Sequence, residues 1–284
     1  MSNFSSRSLV LALMSVVVVA VLASTAQAVV IAQYNFTNDA NWLKDTATSG
    51  GHHDLIAGTG VTKPVSGAGA VFDGTGNSIL ASIDPIDLRG YQDLTITWVQ
   101  NFATGVGGMI AETGPSFSGV GPNGSLAIYS TAGGSTINEA EIGVVTGQPS
   151  GNKNNRAFGW TDAAGVVTTT VKFDLTQVAD PTQVTKVYNG TGTSALNLIA
   201  QTPSPANATN SWAPPPSFTQ DYLYLGARFS AMVGGLPTGF ASPAGTIMSF
   251  KISGKLWPTP EPSTMVMLAS GLVGLLCYAW RKRK

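Results

Sequence analysis

Leu94-Thr95-Ile96-Thr97-Trp98-Val99 alternates apolar and hydroxylated residues almost one for one. An extended chain sends successive side chains to opposite faces, so Leu94, Ile96 and Trp98 share one face. A β-branched and aromatic run of this kind reads as a half-buried strand. Thr246 to Ile252 repeats the pattern, with Met248, Phe250 and Ile252 expected inward. Similar short runs fill the space between: Ile31–Phe36, Ser78–Ile83, Met109–Glu112, Leu126–Ser130, Glu141–Val145, Phe158–Thr161, Val166–Phe173, Val184–Tyr188, Leu196–Gln201 and Tyr222–Gly226. Turn signals separate them, among them Asp73-Gly74, Asn123-Gly124 and Asn189-Gly190. Helical periodicity is almost absent. Many short strands without helices predict an all-β, antiparallel two-sheet sandwich or jelly roll. Phe72, Trp98, Tyr224 and Phe250 are the large inward groups such a core needs.

The two ends of the chain differ from this body. At the N-terminus Arg7 is a positive lead-in, Leu9 to Leu22 is an apolar stretch, and Ala26-Gln27-Ala28 is a small-residue cleavage site. That is the plan of a signal peptide over residues 1–28, with an apolar stretch too short for a stable crossing. At the other end, Pro260-Glu261-Pro262-Ser263 precedes an uncharged run from Thr264 to Trp280, and Arg281-Lys282-Arg283-Lys284 closes the chain. As a helix, Thr264 to Trp280 reaches about 25 Å, the short end for a transmembrane span, and the basic tetrad holds its end on the cytoplasmic side. The reading is a signal helix at 1–28, one sandwich over 29–258, and a sorting segment at 259–284 ending in a transmembrane helix. Pro203 to Pro216 is a loop within the sandwich, because strand-like runs continue on both sides.

The body carries ten basic and 14 acidic side chains between residues 29 and 259, with no basic patch. Nucleic-acid binding has no electrostatic footprint there. The one cysteine, Cys277, lies in the apolar run, so the body has neither disulfides nor thiolate metal ligands.

The C-terminus resembles the PEP-CTERM sorting domain of Gram-negative bacteria, through Pro260-Glu261-Pro262-Ser263, Gly271-Leu272-Val273-Gly274-Leu275 and the Arg/Lys close. The resemblance implies export through the inner membrane, recognition by an exosortase, and cleavage near Pro260, Glu261 and Pro262. It also implies a cell-surface or extracellular-matrix location, with a link to exopolysaccharide and biofilm. The membrane is then a partner through the C-terminal helix before processing.

The body resembles a LamG-like domain of the concanavalin A-like lectin/glucanase superfamily. The matching stretches are Tyr34-Asn35-Phe36 with Asp54-Leu55, the run Val65 to Gly74 ending in Val71-Phe72-Asp73-Gly74, Leu94 to Val99, Val187-Tyr188-Asn189-Gly190, Leu223-Tyr224-Leu225-Gly226-Ala227-Arg228, and Gly245-Thr246-Ile247. The resemblance implies a concanavalin A-like sandwich that binds carbohydrate or a surface protein. A W-x-H strand before the Asn189-Gly190 hairpin is not evident.

Candidate chemistry is sparse. Glu139 and Glu141 are carboxylates at strand spacing, and two residues of separation put such a pair near the range used by retaining glycosidases. The Glu-x-Asp-x-Glu motif of laminarinase-type enzymes is missing around Asn138 to Gly143, and a solvated strand face explains the pair. His52-His53-Asp54 is a poor chelate, because neighbours on an extended chain diverge. Asp39, Asp45, Asp54 and Asp73 are oxygen donors of the type that calcium takes, or turn formers. Trp42, Trp160 and Trp212 lie in loop-like contexts where an exposed ring could stack on sugar. No Gly-x-Ser-x-Gly occurs. The expectation is a carbohydrate- or protein-binding module without catalytic activity, with a glycan hydrolase on the same fold or a purely structural matrix protein as the alternatives.

Overall fold

The computed structural model describes residues 28–38, 40–48, 52–65, 67–102, 107–114, 124–131, 138–144, 153–160, 165–191, 196–201, 215, 217–240, 243–258 and a few positions from 270 onward. For 107, 130–131, 138–144 and, Ala157 apart, 153–160, the description is of backbone only. The signal segment before residue 28 and the motif Pro260, Glu261 and Pro262 lie outside the described residues.

Residues Ala28–Lys255 form one compact unit. Its strands, in chain order, are β1 (Ala28–Asn35), β2 (Leu55–Ala57), β3 (Val61–Thr62), β4 (Ala70–Asp73), β5 (Leu80–Ser82), β6 (Ile86–Asp87), β7 (Tyr91–Phe102), β8 (Gly107–Thr113), β9 (Leu126–Thr131) and β10 (Asn138–Val144). They continue with β11 (Lys153–Trp160), β12 (Gly165–Asp174), β13 (Thr185–Thr191), β14 (Asn197–Gln201), β15 (Gln220–Asp221), β16 (Leu223–Leu225), β17 (Arg228–Val233), β18 (Leu236–Phe240) and β19 (Ala244–Leu256). The helical element described within this unit is a 3-10 turn, Pro181–Gln183.

Two antiparallel sheets make the sandwich that the alternation predicts. The first runs β14-β13-β12-β7-β19-β4-β3, with β1 also paired to β19, and the second runs β11-β10-β9-β8-β16-β5-β2. In β7 the alternate residues Leu94, Ile96, Trp98, Gln100 and Phe102 are buried. Opposite them on β12 stand Phe173, Val171, Thr169 and Val167, all buried. Trp98 and Phe250 are 1% and 0% exposed, as expected of core groups. The Trp98 indole N–H needs an acceptor once it leaves water. Gln100 Oε1 supplies it at 2.6 Å.

Three expectations change. In β19 the buried residues are Ile247, Phe250, Ile252 and Gly254, while Met248 is half-buried. The strand changes partner there: residues 244–247 pair with β4, and residues 249–255 pair with β1. The parity of the pleat slips at the handover, where Met248 O accepts from Phe36 N at 2.9 Å. Asn189-Gly190 is not a turn. Gly190 lies within β13, opposite Thr168, because the β12–β13 ladder runs to Thr191. Tyr224 is buried, but it belongs to a second cluster with Ile79, Ala81 and Ala227, apart from the main core.

β1 starts at Ala28, paired with Lys255, so cleavage after Ala28 would leave a strand from Val29, which pairs with Gly254. Toward the C-terminus, the described positions 270–272, 274–275, 278 and 281 are helical. Among the described residues no helix is long and apolar enough to cross a membrane, which says nothing of a β-barrel. Most of Thr264 to Trp280 lies outside the description.

Candidate functional site

The second sheet has two buried faces. Leu55, Leu80, Ile110, Leu126, Ile128, Ala157, Leu223 and Leu225 join the main core. The opposite face carries a row that the ladder places side by side: Ile56, Ala81, Tyr224, Glu112 and Ala127. Directly opposed residues in a sheet share a face, so this row is one surface.

The β17–β18 hairpin lies over that surface. Its turn, Gly234-Gly235, takes φ of 60° and 80°. A two-residue hairpin turn of the primed type needs positive φ at both positions, and glycine adopts it without strain. At the root, Gly226 has φ 82° and approaches the Phe72 ring so closely that an added Cβ would lie 2.0 Å from it. That glycine lets the chain leave β16 and turn back across the sheet.

The hairpin brings an aromatic wall with it. Phe229 stacks on Tyr224 with centroids 4.5 Å apart and an interplanar angle of 16°. Beside the pair opens a cleft of ≈ 580 Å³, lined by Ile56, Ile83, Asp221, Tyr222, Tyr224, Phe229 and Met232 among others. Ile83, Tyr222 and Met232 are exposed. Asp221 is the charged residue of the lining, and its Oδ1 accepts from Tyr222 N at 2.8 Å.

Beneath the wall lies a carboxyl group. Glu112 is 1% exposed. Its Oε1 accepts from the backbone N of Phe229 at 2.7 Å. Its Oε2 has no hydrogen-bond partner among the described residues, and neither has Nε of Arg228. Burial pushes Glu112 up to about 7, against the pull of the Phe229 N–H and Arg228, with Asp221 adding to the rise. Arg228 stacks over the Tyr129 ring at 5.0 Å and donates to the Tyr129 hydroxyl. Burial lowers the Arg228 pKa while Glu112 works against that fall.

The residues singled out from sequence lie elsewhere. Glu139 and Glu141 are in β10, at the register of Tyr129 and Ala127. Asp45 is buried, accepting from Gln33 N and Ala47 N at 2.9 Å and from His53 N at 3.2 Å. Asp54 accepts from Asp45 N at 3.0 Å and pairs with Lys44 at 2.5 Å. Asp73 Oδ1 accepts from Thr75 N at 2.8 Å, from the Thr75 hydroxyl and from Ser78 Oγ. These carboxylates tie loops together as turn formers do. Asp39 lies outside the described residues, and among those described no group of three His, Cys, Asp or Glu could hold a metal ion. His53 is a structural loop residue whose carbonyl accepts from Tyr34 Oη at 2.6 Å. Trp42 is half-buried against the main core, so it is not a free stacking ring. The Trp160 side chain and Trp212 lie outside the described residues.

Glu112, Phe229 and the hairpin were missed by sequence reasoning. Gly234-Gly235 between Arg228–Val233 and Leu236–Phe240 is the signal that finds the hairpin.

Residues 258–284 match the PEP-CTERM protein-sorting motif. That motif indicates export and membrane-associated sorting to the cell surface in Gram-negative bacteria. No curated protein matches the chain. Among solved structures, the chain is similar to domain 4 of an extracellular GH43 arabinanase from Geobacillus stearothermophilus, solved with arabinotriose. The two are 15% identical with a TM-score of 0.42, over 85% of this chain and 99% of that one. It is also similar to the botulinum neurotoxin serotype C1 binding domain, at 10% identity and a TM-score of 0.49, over 84% of this chain. The match spans 51% of that binding domain. A third is the Ruminococcus gnavus sialidase CBM40 bound to α2,3-sialyllactose, at 13% identity and a TM-score of 0.35, over 63% of this chain and 83% of that one.

Proposed function

We propose that this chain is an exported surface protein, processed by an exosortase, whose sandwich binds carbohydrate without hydrolysing it. The cleft beside β17–β18 carries the reading. It offers the exposed ring of Tyr222 and the half-buried ring of Phe229 stacked on buried Tyr224, apolar walls from Ile56, Ile83 and Met232, and the Asp221 carboxylate. Rings of this kind pack on the C–H faces of a sugar, and a carboxylate accepts its hydroxyls. A concave site of this size, mostly apolar with a few polar groups, is the ordinary form of a small-ligand site. The ligand is a polysaccharide of the cell surface or matrix, in keeping with a role in exopolysaccharide and biofilm.

The test uses the full chain in detergent, incubated with laminarin, agarose and the host's own exopolysaccharide, with and without calcium. Retention on one polysaccharide without release of reducing sugar is the expected result, together with its loss in Tyr222→Ala. Retention on none would overturn the carbohydrate reading in favour of a structural or protein-binding role. A dependence on calcium would point to a bound ion.

One observation favours a second reading, a glycan hydrolase. Glu112 is held near neutrality, as general acids are, and feels the charge of Asp221. It ranks below binding because Glu112 is covered by the hairpin, with one oxygen already bonded to Phe229 N. A catalytic acid must reach the proton it transfers. Reducing-sugar release abolished by Glu112→Gln, Glu139→Gln or Glu141→Gln would move the protein to that class.

On the sorting side, the exported form should begin at Val29. Its mature form should lack Met265 to Trp280, with cleavage near Pro260–Pro262. Mass spectrometry of wild-type and exosortase-deficient cells reads both.

A further inference from the structure

Among the described residues two carboxyls are buried, Asp45 and Glu112, and Glu112 is the one with an unpartnered oxygen. It lies under the hairpin rather than in the open cleft, and it bonds the backbone of the residue whose ring forms the cleft wall. Its second oxygen and the nearby Arg228 Nε are both buried without partners among the described residues. A buried polar group left unpaired is costly, and an ionised one far more so. Such a group is satisfied either by losing its charge or by admitting water. Admitting water here means lifting β17 from β8.

We infer that Glu112 is a positioning residue that latches the β17–β18 hairpin over the cleft, closed when its carboxyl is neutral and loosened when it ionises. The inference rests on the cleft being the binding site. The neutral acid keeps its bond from Phe229 N without a desolvated charge, so Phe229 stays stacked on Tyr224. The ionised form gains attraction to that N–H and to Arg228, yet its other oxygen meets no donor among the described residues. The direction of the Glu112 shift, upward from 4.5 to about 7, gives the net balance of these opposing effects.

The groups that face Glu112 are consistent with this direction. From the β15–β16 segment come Asp221, whose charge opposes ionisation, and Tyr224, whose own pKa is raised by burial and then by Asp221 and Glu112. From β17 comes Arg228, which favours ionisation, but its guanidinium is engaged by Tyr129 of β9. Ala127, directly opposite on β9, brings no charge, and Glu141 holds the next register position on β10. Among the described side chains, one partly engaged cation, Arg228, therefore stands against one further anion, Asp221.

The experiment follows amide exchange of the peptide containing Phe229 in the full chain in detergent, corrected for the intrinsic pH dependence of exchange. Protection in the wild type should fall about tenfold or more between pH 5.5 and pH 8.5, a local opening rather than global unfolding. In Glu112→Gln, which keeps an acceptor but cannot ionise, protection should stay flat. A flat wild-type profile, or a wild-type profile retained in Glu112→Gln, overturns the latch. If Glu112→Gln does not fold, carboxyl-¹³C glutamate labelling gives a reading in the wild type, where the chain has four glutamates to resolve. The Glu112 titration midpoint should coincide with the exchange midpoint, and clear separation of the two overturns the proposal. Polysaccharide retention measured at both pH values keeps the two ideas apart. A pH-dependent exchange profile without retention defeats the carbohydrate reading and leaves the latch standing. Retention with a flat profile defeats the latch and leaves the binding site.

Discussion

The two sides of the second sheet are packed by different means. Its inner side meets the first sheet through aliphatic groups such as Leu80, Ile128, Leu223 and Leu225. Among the described residues, its outer side is covered around β16 and β8 by the β17–β18 hairpin, and the contacts there are two stacked rings, an arginine over a tyrosine and a buried carboxyl. The inner side is a conventional core, closed to water and indifferent to pH. The outer side is a shallow cluster whose one buried acid couples packing to protonation. On the reading proposed above, most of the stability rests on the inner face, while pH response and ligand binding belong to the outer one.

Substitutions on the two sides should differ in size and in kind. Trp98→Ala removes the largest fully buried side chain of the main core. It should cost about 3–5 kcal/mol, read as a lower urea midpoint for the whole sandwich. The next effect is a pH slope. A group with a raised folded-state pKa stabilises the fold fully below its unfolded value, and that contribution is lost as pH rises through the folded value. For Glu112 the window runs from 4.5 to about 7. Stability should fall by about 3 kcal/mol across it, at roughly 1.4 kcal/mol per unit, and the slope should vanish in Glu112→Gln. Urea titrations at pH 4.5 and 7.5 test this, and a slope retained in the variant would break the comparison. Phe229→Ala, a half-buried ring, should cost about 1–2 kcal/mol. It should also raise amide exchange in β17 while leaving β7 protected. Smallest in stability is Tyr222→Ala, within about 0.5 kcal/mol as for exposed positions. That variant should nonetheless lose polysaccharide retention. A large stability change with retention intact would merge the two faces into one.

Much of the core-facing side of the first sheet was legible in the sequence, because β7 writes its burial as alternation. Leu94, Ile96 and Trp98 are read correctly for that reason. Leu223-Tyr224-Leu225 defeats the same logic: all three are buried, the leucines inward and the tyrosine outward under the hairpin. Alternation of apolar with apolar carries no face label. Glu112 was unreadable because its burial is imposed by Phe229 and its neighbours, 117 residues later in the chain. No local pattern around Glu112 records that event. The hairpin itself left one signal, Gly234-Gly235, and exposed Ala231, Met232 and Val233 beside it hide the usual strand alternation. Met248 was misplaced because β19 serves two partners in succession, and a change of partner is invisible to a count of residues.

The position of β19 bears on how this chain is made. The last strand of the sandwich is not at an edge but lies between β7 and β4, and it also pairs with the first strand, Ala28 with Lys255. Closing that pair joins residues separated by nearly the whole body, the kind of non-local contact that slows folding and costs the most loop entropy. Until β19 arrives, β7 faces an empty slot and β1 has no ladder. The body can therefore complete its first sheet only when its final strand is present, and that strand ends just before residues 258–284, which match the sorting motif. A copy cut short before Ala244 lacks the strand that joins its two ends, and it also lacks residues 258–284, which match the sorting motif.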